Sequence, residues 1–187
     1  MVSKSGYINR LVFQAKHRGA NIANIPIDNL PGGSKIFELV VNFCYGKKVE
    51  VSAANIAPLH CAANFLEMSD DFEQENLISK TNTFLSFLLF SSWKDTFWIF
   101  KSCESLSPWA REFGVLSRCA EAVAWKLSMD ANEITVWENE MQYFDFFAER
   151  RNNSDRKKVV LFYFFLYIER ENDFLTGFIN HNHIGKR

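Results

Sequence analysis

LPGGSKIFELVVNFCYGKKVEVSAANIAPLHCAANFLEM, from Leu30 to Met68, is the stretch whose reading decides the fold. It opens on Pro31-Gly32-Gly33, which interrupts regular structure. Ile36, Phe37, Val40, Val41 and Cys44 then recur at helical spacing. Gly46 supplies the left-handed backbone position that ends a helix at low cost. Lys47 to Val51 alternates like an exposed edge strand, with Val49 and Val51 on its inner side. Ser52 is placed to cap a second helix running through Met68, in which Ile56, Leu59, Ala63 and Leu66 share one face. A helix, a short strand and an amphipathic helix joined without a linker read as a partner-binding module.

Outward from this unit the pattern stays helical. Upstream, Ile8, Leu11, Val12 and Ala15 give a short helix from Ser5 to Lys16, and the alternation of Asn21 to Ile27 suits a strand. Downstream, Asp70 with Glu73 resembles a capping pair for a helix carrying Ile78, Thr81, Leu85 and Leu88. Ser92 with Asp95 repeats that signal for a helix presenting Trp93, Phe97 and Phe100, a stripe whose spacing is that of core packing. Ser107-Pro108 starts the most regular pattern, since proline suits the first helical position. Trp109, Phe113, Leu116, Ala120, Val123 and Leu127 follow in steps of four and three, which predicts an antiparallel pair with the preceding helix. No linker divides the chain before Met129. The charge-rich RRNNSDRKK at 150–158 is the one break, so the coherent fold is expected to end near Asp130.

Composition narrows the function. Hydrophobic residues make up 48% of the 187 and charged residues 23%, which is globular rather than disordered. Phenylalanine is in excess at 19, much of it after Tyr143. A net charge of -1, from 21 basic and 22 acidic residues, leaves no electrostatic footprint for nucleic acid or an anionic membrane. Cys44, Cys61, Cys103 and Cys119 lie far apart with no CxxC pair and read as reduced core residues, as in a cytosolic or nuclear protein. The amino-terminal MVSKSGYINRLVFQAKHRG lacks the apolar core of a secretory signal. The longest apolar run, Val159 to Ile168, is about half of the ~20 residues a membrane-crossing helix needs. Beside Arg156, Lys157 and Lys158 its alternative is an interfacial anchor.

No catalytic constellation accompanies these elements. PGGSK at Pro31 to Lys35 lacks the order of a phosphate loop and no apolar strand enters it. His60 and Cys61 are adjacent on a helix and diverge by about 100°, so they do not share a metal. His181 and His183 lack further ligands, and Asp70 and Asp71 stand where a helix dipole favours carboxylates. No serine, cysteine or lysine has a base partner at motif spacing. The expectation is a non-enzyme with no cofactor and no metal.

The strings SKSGYINRLV, LPGGSKIFELVVNFCYG, SAANIAPLHCAANFLEM and SWKDTFWIF, followed by SLSPWAREFGVLSRCAEAVAWK, resemble the plant BTB/POZ phototropism-signalling family of the non-phototropic hypocotyl three and root phototropism two type. The resemblance runs in order from Val2 to about Asp130. It implies an α+β, predominantly α-helical chain: a partial BTB/POZ domain with a few short strands over residues 1–90, the start of a helical-hairpin family region over 91–130, and a divergent tail over 131–187 that resembles no part of the family. It also implies a substrate-selecting adaptor of a cullin-three RING ubiquitin ligase, acting in the cytoplasm. Its alternatives are a scaffold for photoreceptor kinases at the plasma membrane and a nonfunctional fragment. The cullin-binding loop of BTB domains matches Tyr45, Gly46, Lys47 and Lys48, with Phe43 and Cys44 ending the helix. Tyr45 either contacts the cullin or closes the helix against Gly46. Family members carry strands and a His-Lys-Phe-Pro-Leu segment before SKSG, so the expectation here is an amino-terminally truncated BTB domain. Such a domain lacks much of its dimer interface and is open to pairing with intact BTB relatives.

Overall fold

The computed structural model describes residues 1–19, 21, 22 and 24–129, with side chains through 126. The tail strings after 130, the charged stretch 150–158, the apolar run 159–168, His181 and His183 lie outside the described residues. Met1–Val123 form one compact unit. The described residues are predominantly helical: α1 (Gly6–His17), α2 (Gly33–Cys44), α3 (Ile56–Phe65), α4 (Leu77–Ser91), α5 (Trp93–Cys103), a 3-10 turn (Glu104–Leu106), α6 (Trp109–Glu112) and α7 (Val115–Met129).

α3 is the axis of this unit, and it packs against α2, α4, α5 and α6. Its sequence IAPLHCAANF is apolar on nearly every side, and residues Ile56 through Ala63 are all buried. A helix of that kind belongs inside a core. It therefore has no solvent face, where an amphipathic helix was expected. Pro58 sits in its first turn, where a missing N–H costs no helical bond. The two polar side chains are absorbed locally. His60 Nδ1 lies 3.0 Å from Thr81 Oγ1 on α4, and Asn64 Nδ2 lies 3.2 Å from His60 Nε2 and donates to the His60 carbonyl at 2.9 Å. Burial, with the Arg118 cation pushing the same way, holds the His60 imidazole down at about 4, so it is neutral near neutral pH.

α1 docks by its first turn onto the last turn of α3. Ser5 caps α1, its Oγ accepting from the Ile8 N–H at 3.1 Å and donating to the Leu66 carbonyl at 2.6 Å. The amides of Gly6 and Tyr7 donate to the Glu67 and Leu66 carbonyls at 3.1 and 3.3 Å. The orphan donors of one helix thus meet the orphan acceptors of another. α3 itself ends in a Schellman motif: Met68 N–H reaches Ala63 O, Glu67 N–H reaches Asn64 O, and Glu67 takes φ 53. Glu67 fills a position that usually falls to glycine, and its carboxylate is held by the Arg10 guanidinium, with Arg10 Nη2 at 2.6 Å from Oε1. A Cβ at Gly6 would stand 2.6 Å from both Glu67 Oε2 and Phe72 Cζ, so these side chains would have to shift to admit it.

Several sequence expectations shift in position. Among the described residues Asn21–Ile27 and Lys47–Val51 form no strand, because no second strand lies beside either. Lys47–Val51 keeps the alternation all the same, with Val49 and Val51 packed on the core and Lys48 and Glu50 outside. α3 starts after Asn55 rather than Ser52. The Asn55 amide spans the turn, accepting from Ser52 N–H at 2.8 Å and donating to Glu50 O at 2.8 Å. α4 is capped by Asn76, whose side chain takes the Leu77 N–H, and not by Asp70 and Glu73. Asp70 instead accepts from Asn76 N–H and from the Ser79 hydroxyl, which hold its carboxyl below the usual range. The buried face of α4 is Leu77, Thr81, Leu85 and Leu89, with Leu88 half-buried. The pattern from Trp109 breaks into α6 and α7 at Gly114, φ 72, and Pro108 stands outside the helix that it was expected to begin. The cap of α5 is as the sequence predicts: Ser92 Oγ accepts the Asp95 N–H at 3.0 Å.

Candidate partner interface

α2 ends because Gly46 turns left-handed, φ 70, with Tyr45 as its cap. This geometry throws Tyr45 outward, 72% exposed, and leaves Gly46, Lys47 and Lys48 at the surface beyond it. The six residues of the expected loop thus divide. Phe43 and Cys44 turn inward and pack against the core, and burial pushes the Cys44 thiol up. Tyr45 does close the helix backbone, through its N–H to Val41 O at 3.1 Å, but its ring is free of the core. An exposed aromatic beside two lysines is the kind of side chain that anchors an interface.

The inward Phe43 is fixed by charge. Lys4 Nζ lies 5.3 Å and Lys80 Nζ 5.8 Å from its ring centroid, both within cation–π range. Each lysine also meets a carboxylate, Lys4 with Glu73 at 2.5 Å and Lys80 with Glu75 at 3.5 Å. Between this group and α4 runs a groove of about 390 Å³, walled by Val49, Val51, Leu77 and Phe84. Phe84 begins a second surface feature that the loop-centred reading missed: Phe84, Phe87 and Phe90 on α4 are 48%, 67% and 46% exposed. The signal was present in LISKTNTFLSFLLFS, where these phenylalanines fall out of phase with Leu77, Leu85 and Leu89 and so must face away from the core.

Among the described residues no cluster of three His, Cys, Asp or Glu side chains is placed to hold a metal. Cys61, Cys103 and Cys119 are buried, the Cys61 thiol pushed up to about 12 by burial and by Cys103. Cys103 is likewise raised, by its hydrogen bond with Cys119 and by burial. No helix among the described residues is long and apolar enough to cross a membrane.

Comparison with known proteins supplies the family. The chain is 47% identical over 126 residues to Root phototropism protein 3 of Arabidopsis thaliana, covering 67% of this chain and 17% of that protein. It is 40% identical over 132 residues to a BTB/POZ domain-containing protein of the same plant, covering 71% and 20%. To Coleoptile phototropism protein 1 of Oryza sativa subsp. japonica it is 44% identical over 133 residues, covering 67% and 18%. The matched part of the chain belongs to the plant BTB/POZ phototropism family. It spans about a fifth of the length of the family members it matches. No family model matches the chain, and no solved structure does. For a BTB/POZ phototropism relative, the surface that the geometry offers is one for proteins: an exposed aromatic loop, a groove and a phenylalanine-lined helix face.

Proposed function

We propose that this chain is a substrate-selecting adaptor of a cullin-three RING ubiquitin ligase, working in phototropism-type signalling and carrying no catalytic step of its own. The observation that carries the reading is Tyr45, 72% exposed at the left-handed end of α2 with Lys47 and Lys48 beside it. Tyr45 inserts into the cullin, and the lysines meet acidic groups at the rim. Such an adaptor acts through effective concentration, holding a target where transfer becomes quasi-intramolecular. It needs no cofactor.

The test is a pull-down of the purified chain with the amino-terminal domain of plant cullin-three beside Tyr45→Ala. Binding that the variant loses supports the reading. A folded chain that does not bind, or a variant that binds equally, overturns it. A full helical circular dichroism signal in both proteins separates lost contact from lost fold.

A further inference from the structure

The outer side of α1 is not explained by the joint that its first turn makes. Between Met1 and Ile27 the sequence has no acidic residue, against Lys4, Arg10, Lys16 and Arg18. Lys4 and Arg10 are matched from elsewhere in the fold, by Glu73 and Glu67. Lys16, His17 and Arg18 are exposed at the end of α1, and among the described residues no ion pair engages them. Cations there suit the carbonyl end of the helix dipole. The dipole does not account for Phe13, which is 61% exposed one turn before them. Its ring meets the His17 ring edge-on at 4.3 Å, and Lys16 follows it by three residues, so Phe13, Lys16 and His17 share one side of the helix with Arg18 at its end. The backbone beneath them is fixed: Arg18 N–H bonds Gln14 O at 3.1 Å, and Gly19 N–H bonds Lys16 O at 3.2 Å.

Charge and the exposed ring select the occupant. Cations without a carboxylate of their own fit a partner that brings carboxylates, and an exposed phenylalanine gains from being covered by an apolar side chain. A bilayer surface needs a broad apolar helix face, whereas Phe13 is the one large apolar side chain that α1 exposes. We propose that the outer side of α1, around Phe13, Lys16 and Arg18, docks an acidic segment of a partner protein that carries apolar side chains among its carboxylates. Lys16 and Arg18 take the carboxylates, and the Phe13 ring, packed on His17, takes the apolar side chains. This surface shares no residue with the Tyr45 loop, so it goes beyond the cullin reading and does not rest on it.

The test uses a fluorescein-labelled peptide in which a pair of phenylalanines stands between two pairs of glutamates, a counterpart with serines for the phenylalanines, and another with lysines for the glutamates. Fluorescence anisotropy with the full chain reads binding. The acidic phenylalanine peptide is expected to bind, and each counterpart to bind at least ten-fold more weakly. Lys16→Glu with Arg18→Glu, and separately Phe13→Ser, should each weaken binding at least ten-fold while the helical circular dichroism signal stays full, because all three side chains are exposed. Lys35→Glu, a reversal at an exposed cation on α2, should leave binding unchanged. No binding of the acidic peptide, equal binding of either counterpart, or unchanged affinity in either α1 variant overturns the proposal. Sedimentation of the chain with phosphatidylserine vesicles in the absence of peptide binding would overturn it in favour of a lipid surface.

Discussion

Replacing Gly32 by alanine should unfold the chain far more readily than replacing Gly33, although both glycines have positive φ, 77° and 64°. Leu30 to Gly33 is a type II turn in which Pro31 and Gly32 are the central residues and Gly33 N–H bonds Leu30 O at 3.0 Å. A left-handed backbone costs a non-glycine residue ~1–2 kcal/mol, offset by ~0.4–1 kcal/mol from the stiffer unfolded chain. Gly33→Ala meets only that difference, on the order of 1 kcal/mol, because nothing lies within 4 Å of its new Cβ. At Gly32 the Cβ would also collide with Ile36 Cγ1 and stand 2.9 Å from Pro58 Cβ, both on buried residues at the α2–α3 contact. Overpacking of that kind adds ~1–3 kcal/mol. The gap between the variants is therefore about 2 kcal/mol, or about 1 M in urea midpoint at a slope of ~2 kcal/mol/M. Urea unfolding followed by tryptophan fluorescence reads it. Coincident midpoints would show that α2 does not seat on Pro58 as described.

The remaining predictions concern the core. Ser5→Ala removes a cap worth ~1 kcal/mol and one donor to the buried Leu66 carbonyl, worth about the same, so a loss near 2 kcal/mol is expected by urea unfolding. An unchanged midpoint would remove α1 from the α3 terminus. His60 is depressed to about 4 in the fold against ~6.5 unfolded, so the unfolded state binds the extra proton first. Its contribution is complete above pH ~6.5 and is lost as pH falls toward 4, up to about 3 kcal/mol. The stability–pH slope in that window should flatten in His60→Gln, and an equal slope in both proteins would count against a buried neutral ring. A charged disulfide reagent should label Cys44 alone in the native chain and all four cysteines in urea, with Cys44→Ser abolishing the native reaction. Fast native labelling of Cys61, Cys103 or Cys119 would contradict their burial.

What could be read from the sequence was what local chemistry decides. α2 is bounded by a Pro-Gly turn and a left-handed glycine, and α5 by Ser92 with Asp95, all of them signals within a few residues of the feature they set. The displaced starts had more than one candidate cap nearby. Ser52 and Asn55 both qualify by type, and the choice fell to Asn55 because its amide spans two backbone groups at once. Asn76 prevailed over Asp70 because its amide is buried and donates to Lys4 O, 72 residues away, as well as to Ser69 O. The run from Trp109 counts correctly as a helical face, and counting does not register the φ of Gly114. The two strands were read from alternation, which reports which side of a segment is buried and is silent on what lies beside it. Of the candidate interface, Tyr45 and the lysines were legible, while Phe84 and Phe87 were hidden by the expectation that phenylalanine goes inside.

The string SKSG shows how a surface site comes to depend on a distant joint. Lys4 lies over the Phe43 ring and pairs with Glu73, Ser5 caps α1 and ties it to Leu66, and Gly6 lets the two helix ends meet. Three successive residues therefore connect α1, the end of α3 and the groove beside Tyr45. Removing the Ser5 hydroxyl should release Lys4 from Phe43 as well as loosen α1, because the same short segment holds both. Ser5→Ala is thus expected to speed labelling of Cys44, which adjoins Phe43, while leaving the exposed Tyr45 ring available. A variant that lost stability but labelled Cys44 at the unaltered rate would show that Phe43 is held in place without the α1 joint.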